Sequence, residues 1–473
     1  MRKIVCLNFI FICASVFLCY GQVMYENIYS DNGANAGYAI KPTNDHGYII
    51  AGFCNPTSTF FGQDYLLMKI DSLGVVEWAN NFGGISSDHA NNVIQTSDSG
   101  FAEIGVISGA STISDDIYLV KTDNSGNLLW SKEFGETEDD FGYDLKEIPS
   151  DSGFIIAANR GYHPYIIRTD KYGDTLWTKS LIDSANIYSM CLTSDNGFLA
   201  VGATALGPLG IRGFVIKLDQ NGNLDWKLFF EGGGGEELYG CTELANGNFA
   251  VAGRSLEDSP PPKTDAIIRF INPAGTFINY ETFGSTNTDY FHGIVEANDG
   301  NGVVMTGRTY IVGENVDQDR LFAVKTDLSG IAEWEMTFGQ DLPESETGYD
   351  VCQAYDGGYV FCGQKTNADG IYVYIVKVNE FGSTVSTIEI PQFNSFALYP
   401  NPMSEYSKIE FGKPLEEKSD LKLYAINGQL VYSEELPIGT LEHTIYKNNL
   451  VSGIYLLSIK SGKTNITKRL IVE

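Results

Sequence analysis

Asn92, Asp144, Ser189 and Asp350 are the residues of this chain whose types and positions could do chemistry together, because each falls on the first strand of one copy of an internal repeat, where a channel mouth would be lined. A pair of carboxylates at the mouth of a channel is the requirement of polysaccharide cleavage, one acid protonating the leaving oxygen while the other attacks or activates water. The same polar residues without such a role simply line and hydrate a channel. Other catalytic signals are thin. The histidines are His46, His89, His163, His292 and His443, and no serine stands in a Gly-x-Ser-x-Gly elbow. The acidic pairs Asp139-Asp140 and Glu236-Glu237 fall at strand entries and read as solvated loops in a chain with 60 acids. The run Asp219-Gln220-Asn221-Gly222-Asn223 resembles a calcium loop, but its glycine comes at position four, where an EF-hand needs it at six. Asp-x-x-Gly recurs from Asp71, Asp123, Asp170 and Asp327, which fits hairpin turns. No Cys-x-x-Cys or His-rich spacing supports a metal, so the sequence nominates no catalytic, cofactor-binding or metal residue.

The elements that would position these residues are read from the repeat. Lys69, Lys121, Arg168, Lys217, Lys325 and Lys377 each precede a glycine by five residues (Gly74, Gly126, Gly173, Gly222, Gly330 and Gly382), and Arg269 keeps the spacing loosely. A second signature, a Gly- or Asn-type turn followed by an apolar run, starts at Gly47, Gly100, Gly153, Gly197, Asn248, Gly302 and Gly358. That period of roughly 50 residues, with short β-branched and aromatic runs bounded by Gly, Asp and Asn, predicts propeller blades of four strands rather than helical repeats. Tyr38, Tyr188, Tyr239 and Tyr349 mark the first strands, nine residues before that turn. All five tryptophans, Trp78, Trp130, Trp177, Trp226 and Trp334, mark fourth strands. Near-continuous apolarity in between predicts strands buried on both faces.

An extra half-copy, Tyr25 to Tyr29, precedes the first repeat and looks like a fourth strand without its first three. It is expected to close the ring, since open sheet edges invite aggregation. Gly382 to Ile390 competes for the same place. The fold class expected is all-β: a seven-bladed β-propeller over 22–390, a linker at 391–395, and a small Ig-like β-sandwich over 396–473.

Arg2 and Lys3 before the apolar stretch Ile4 to Leu18, with Gly21-Gln22 at the expected cut, predict a signal peptide over 1–21. Some 15 apolar residues fall short of the ~20 that span a bilayer, and no transmembrane segment is expected in the mature chain. Leu18 before Cys19 disfavours lipidation. The net charge is −29, and 20 basic against 51 acidic residues lie between Gln22 and Phe393, whereas 394–473 is neutral. Such a surface repels phosphate backbones, so nucleic acid is not an expected partner. Cys54, Cys191, Cys241, Cys352 and Cys362 remain after the leader. Cys352 and Cys362 flank a turn, and either a disulfide or buried free thiols would fit there.

Gly357-Gly358-Tyr359, Lys121-Thr122-Asp123 and Gly126 to Trp130 make the repeat resemble the β-propeller repeats of secreted Bacteroidetes proteins. Such families mark a fold and a compartment but no one activity. The tail carries Tyr399-Pro400-Asn401-Pro402, the run Leu423 to Gln429 with Gly428, the run Leu450 to Tyr455 with Gly453, and the ending Lys468 to Val472. With these pieces in order it closely resembles the type A C-terminal sorting domain of the type IX secretion system. The resemblance implies a secreted or cell-surface protein whose Pro400, Asn401, Pro402, Gly428, Gly453 and Tyr455 serve addressing, with the secretion machinery as partner. The propeller is then expected to be a non-catalytic binding or adhesion scaffold for a glycan or protein, without cofactor. The alternative is a polysaccharide-active enzyme with its acids at the channel mouth.

Overall fold

A computed structural model describes residues 24–472 except 30–34, 56–61, 85, 110–113, 205–209, 231–234, 258–262, 286, 312–317, 340–343, 385–395, 400–402, 412–413, 416, 426–428, 448–449 and 462–463. The leader with Gly21 and Gln22, the linker, and Pro400, Asn401, Pro402 and Gly428 lie outside the described residues. Two compact units divide the chain, Met1–Val385 and Ser386–Glu473. All described elements are strands.

In the first unit the strands form four-stranded antiparallel sheets, seven among the described residues. Their first strands are Ala36–Pro42, His89–Gln95, Asp140–Glu147, Ala185–Leu192, Glu236–Glu243, Tyr290–Glu296 and Ser345–Gln353. Each first strand lies against the next, and Ser345–Gln353 returns to Ala36–Pro42, so the sheets run in a closed circle with the first strands innermost. The core sits between adjacent sheets. Leu199, Val201 and Val215 of the fourth sheet pack with Leu238, Val251 and Ile271 of the fifth. Successive residues of one middle strand serve opposite neighbours, as Ile49 packs towards the second sheet and Ile50 towards the seventh. That two-sided burial is why these runs are apolar without alternation. At roughly 1.5–3 kcal/mol per buried aliphatic side chain, the interfaces between sheets dominate the stability.

The repeated cation and glycine have separate tasks. The cation is buried at the end of the third strand and reaches the aspartate in the turn between strands one and two. Lys121 Nζ lies 3.0 Å from Asp98, Lys217 2.8 Å from Asp195, and Arg168 2.6 Å from Asp151. The fifth sheet breaks the pattern: Phe270 stands opposite Ala250 where Lys217 stands opposite Leu199, Asn246 stands at the aspartate's place, and Arg269, one residue earlier, pairs with Glu236. The glycine occupies positive φ in the next turn, +72° at Gly222, where Asp219 Oδ1 accepts from the N–H groups of Asn221 and Asn223. The acids of these Asp-x-x-Gly runs are thus held by backbone amides of their own turn.

These glycines also receive the tryptophan of the preceding sheet. A Cβ on Gly222 would stand 2.6 Å from the Trp177 ring, and one on Gly126 2.5 Å from Trp78. Gly222→Ala combines that clash with an unfavourable φ. It is expected to cost more than about 1 kcal/mol, read as a lowered urea midpoint at unchanged slope.

The circle is closed by the N-terminal strand. Tyr25–Tyr29 pairs antiparallel with Gly370–Val378, placing Tyr25 opposite Lys377 as Trp78 stands opposite Lys69. Tyr25 takes the tryptophan's position in full: its ring approaches Gly74 of the first sheet, and Tyr29 Oη donates to Gly74 O at 2.7 Å.

The second unit contains a three-stranded sheet (Phe396–Tyr399, Tyr406–Phe411, Glu442–Tyr446) and a four-stranded one (Leu430–Leu436, Ser419–Ala425, Gly453–Ser461, Thr464–Val472). Ile409, Phe411 and Ile445 from one share a core with Leu421, Leu423, Leu457, Ile459 and Leu470 from the other.

Candidate functional site

The pairing of first with second strand skips one residue in every sheet of the circle. The skipped residues are Tyr38, Asn91, Tyr143, Tyr188, Tyr239, His292 and Tyr349. A bulge bends its strand and re-aims one side chain. Here the seven re-aimed side chains all line one cavity of about 810 Å³, where the first strands converge.

Six of the seven are rings, and they touch in series. Centroids lie 5.8 Å apart for Tyr143–Tyr188, 5.1 Å for Tyr188–Tyr239, 5.2 Å for Tyr239–His292, 5.2 Å for His292–Tyr349 and 5.0 Å for Tyr349–Tyr38. Asn91 interrupts the arc, its amide donating to Gly142 O at 2.8 Å. The arc is uncharged at ordinary pH. Burial pushes the Tyr38, Tyr143, Tyr239 and Tyr349 phenols up, and burial followed by the nearby Glu237 pushes Tyr188 up to about 12. Burial, followed by Arg308 and Arg254, pushes the His292 imidazole down to about 3.

Asn92, Asp144, Ser189 and Asp350 all line this cavity, and three of them meet. Asp144 Oδ1 accepts from Asn92 Nδ2 at 2.7 Å and Lys146 Nζ at 2.5 Å, while Oδ2 accepts from Met190 N at 2.8 Å and Ser189 Oγ at 3.1 Å. Asp350 stands apart from that network. It accepts from Ile40 N at 3.0 Å and Val351 N at 2.9 Å, and pairs with Lys41 Nζ. Burial depresses Lys41, but Asp350 more than offsets this and its ammonium is held above the ordinary range. The remaining lining acids are also engaged: Glu243 accepts from Ser194 N and Oγ at 2.6 and 2.7 Å, and Glu296 from Ala245 N at 2.6 Å.

Two expectations need correction. Glu236, Glu237 and Asp140 are buried rather than solvated, paired with Arg269, Arg254 and Arg160 respectively; only Asp139 of those four is exposed. Each of the three buried acids is neutralised by an arginine from another strand of its own sheet. Cys352 and Cys362 are free thiols, paired not with each other but with Val360 and Asp350 across the hairpin, so the disulfide alternative is not taken.

Part of the arc escaped the sequence pattern. The nine-residue offset found Tyr38, Tyr188, Tyr239 and Tyr349, but Tyr143 and His292 stand ten before their glycines because the turn is one residue longer, and Asn91 is not aromatic. Allowing that one insertion would have aligned all seven. In the tail, Gly453 opens the strand Gly453–Ser461, and Tyr455 is buried in the core, its Oη donating to Val451 O at 2.9 Å.

Residues 397–473 match the secretion system C-terminal sorting domain family. No curated protein matches the chain. Among solved structures, the Dos1 propeller is 9% identical over 75% of this chain and 95% of its own, with a TM-score of 0.42. The periplasmic gluconolactonase of Pseudomonas aeruginosa is 11% identical over 65% and 85%, at 0.43. A protein of unknown function from Bacteroides caccae is 12% identical over 59% and 90%, at 0.38. With circular four-stranded sheets ahead of a tail that matches along its length, this is a secreted or outer-membrane-surface β-propeller protein whose C-terminal residues are a type IX secretion sorting domain.

Proposed function

We propose that the exported ring is a seven-bladed propeller acting as a non-catalytic binding module, its ligand held in the axial cavity, and that the Ig-like sandwich following it in sequence is the secretion address. One observation carries the binding reading. The acids that cleavage chemistry would employ, Asp144 and Asp350, are each ion-paired to a lysine and hydrogen-bonded to backbone amides. A general acid needs a proton to give and a nucleophile needs a free lone pair directed at substrate. Carboxylates held this way fix neighbouring first strands to one another instead, as Asp144 joins the second, third and fourth sheets.

The full-length secreted protein, incubated with a panel of oligosaccharides and peptides, is expected to retain a ligand without converting it. Turnover abolished by Asp144→Asn or Asp350→Asn would overturn this reading in favour of a polysaccharide-active enzyme. Export has its own test: a chain lacking residues 394–473 is expected to stay behind the outer membrane, with surface and medium levels reduced at least tenfold on the order expected for a lost address. Undiminished surface protein would refute the sorting assignment.

A further inference from the structure

Resting on the binding reading, we infer that the axial cavity is a subsite for an uncharged, hydroxyl-rich sugar unit, entered from the face that carries the turns between first and second strands. Three features converge on this chemistry.

The first is the arc itself. Successive bulges place Tyr143, Tyr188, Tyr239, His292, Tyr349 and Tyr38 round one space, with neighbouring rings inclined at 44° to 86° rather than stacked flat. Inclined rings offer both faces and polar rims to the same volume. A pyranose has apolar C–H faces and a belt of hydroxyls, and it satisfies both kinds of surface at once. About 810 Å³ lies within the range of small-ligand sites.

The second is charge. Every charged side chain of the lining already has a partner of its own: Asp144 with Lys146, Asp350 with Lys41, Glu243 with Ser194, and Glu296 with the Ala245 amide. The arc carries no charge to complement a ligand's. Glu243 and Glu296, whose partners are uncharged, end their strands four residues beyond Tyr239 and His292, so an anion would be repelled by them and a charged group beside the arc would lose water without gaining a counter-charge, whereas neutral hydroxyls exchange one set of hydrogen bonds for another.

The third is a continuation. A smaller cavity of about 290 Å³ shares Pro42 and Gln353 with the axial one and opens beside His46 and Tyr355. Those two rings lie 3.6 Å apart between centroids, and Tyr355 is 78% exposed. His46 sits at φ +69°, held there by the tight turn that ends in Gly47. An aromatic pair at the rim, contiguous with an enclosed aromatic space, suits a chain that enters end first and rests its next unit outside.

The test is calorimetric binding to the full-length protein of neutral oligosaccharides (glucose-, galactose-, mannose- and N-acetylglucosamine-based), beside oligouronates and glucosamine oligomers. One neutral series is expected to bind, with affinity reduced about tenfold or more by Tyr349→Ala and several-fold by Tyr355→Ala. Tyr38→Phe, which keeps the ring, guards against loss by misfolding, and it is expected to weaken binding while leaving the melting temperature unchanged. Preference for the charged series, or neutral binding indifferent to all three variants, overturns the inference. So does the absence of any sugar binding. Peptide binding abolished by the same variants would refute the sugar and leave the binding module standing; conversion of a bound sugar would refute the module and leave the subsite.

Discussion

A chain lacking residues 24–29 is expected to unfold at markedly lower temperature and to aggregate, because it leaves the ring open at Gly370–Val378. The strand supplies five backbone pairings and side-chain contacts besides. Tyr25 fills the space that a tryptophan fills at other sheet boundaries, Tyr29 bonds Gly74 of the first sheet, and Glu26 accepts from Tyr374 Oη at 2.6 Å. Truncating a large ring of this kind costs about 3–5 kcal/mol when fully buried; Tyr25 is half-buried, so Tyr25→Ala should cost about 2–3 kcal/mol and the deletion more. Thermal unfolding followed with light scattering checks this. A peptide of residues 22–30 added in trans is expected to raise the melting temperature of the deleted chain by pairing with the open edge. An unaltered melting temperature and a monodisperse deleted chain would show that Gly370–Val378 needs no partner.

Replacing Glu103 is expected to strengthen the protein. Its carboxylate is fully buried between the first and second sheets with both oxygens unbonded, beside Tyr65 and Tyr118. Corresponding positions of the other sheets hold Ile50, Ile156, Ala200, Val251, Met305 and Phe361, all in the core. Burial pushes the carboxyl well above its usual range. The folded state therefore holds the proton more tightly than the unfolded chain. Stability from this group is complete below the unfolded pKa, near 4.5, and is lost progressively as pH rises towards the folded value. Glu103→Leu should raise stability by about 1–4 kcal/mol at pH 8 and by much less at pH 4.5. Glu103→Gln should flatten the pH dependence in the same direction. Denaturant unfolding at the two pH values decides it, and equal gains at both would mean that ionisation of Glu103 is not what limits stability.

Particular residues explain how much of this was legible. Strand identity and repeat boundaries follow from local constraints: only glycine tolerates φ near +75° against an indole, so Gly126 and Gly222 recur where the chain must turn. The sorting domain was legible for a different reason, its ordered pieces spanning the whole tail. Register across sheets was not legible. Whether Tyr25–Tyr29 or the segment after Gly382 closes the circle depends on which edge the folded ring presents, and the N-terminal strand pairs with that edge. Arg269 reads as an irregular member of the cation series, yet Phe270 holds the cation's register position, and Arg269, one residue earlier on the opposite face, meets Glu236, a partner 33 residues away that no local pattern indicates.

The candidate site divides in the same way. The sequence by itself determined which polar residues fall on first strands, and the structure places Asn92, Asp144, Ser189 and Asp350 around one cavity. Their task was decided only by tertiary structure. Proton transfer depends on whether a carboxylate's lone pairs are free, and Asp144 has its own occupied by groups from three sheets. The aromatic arc arises similarly: a skipped residue is local to each strand, but its side chain becomes part of a binding surface only when the circle closes and brings seven such bulges face to face.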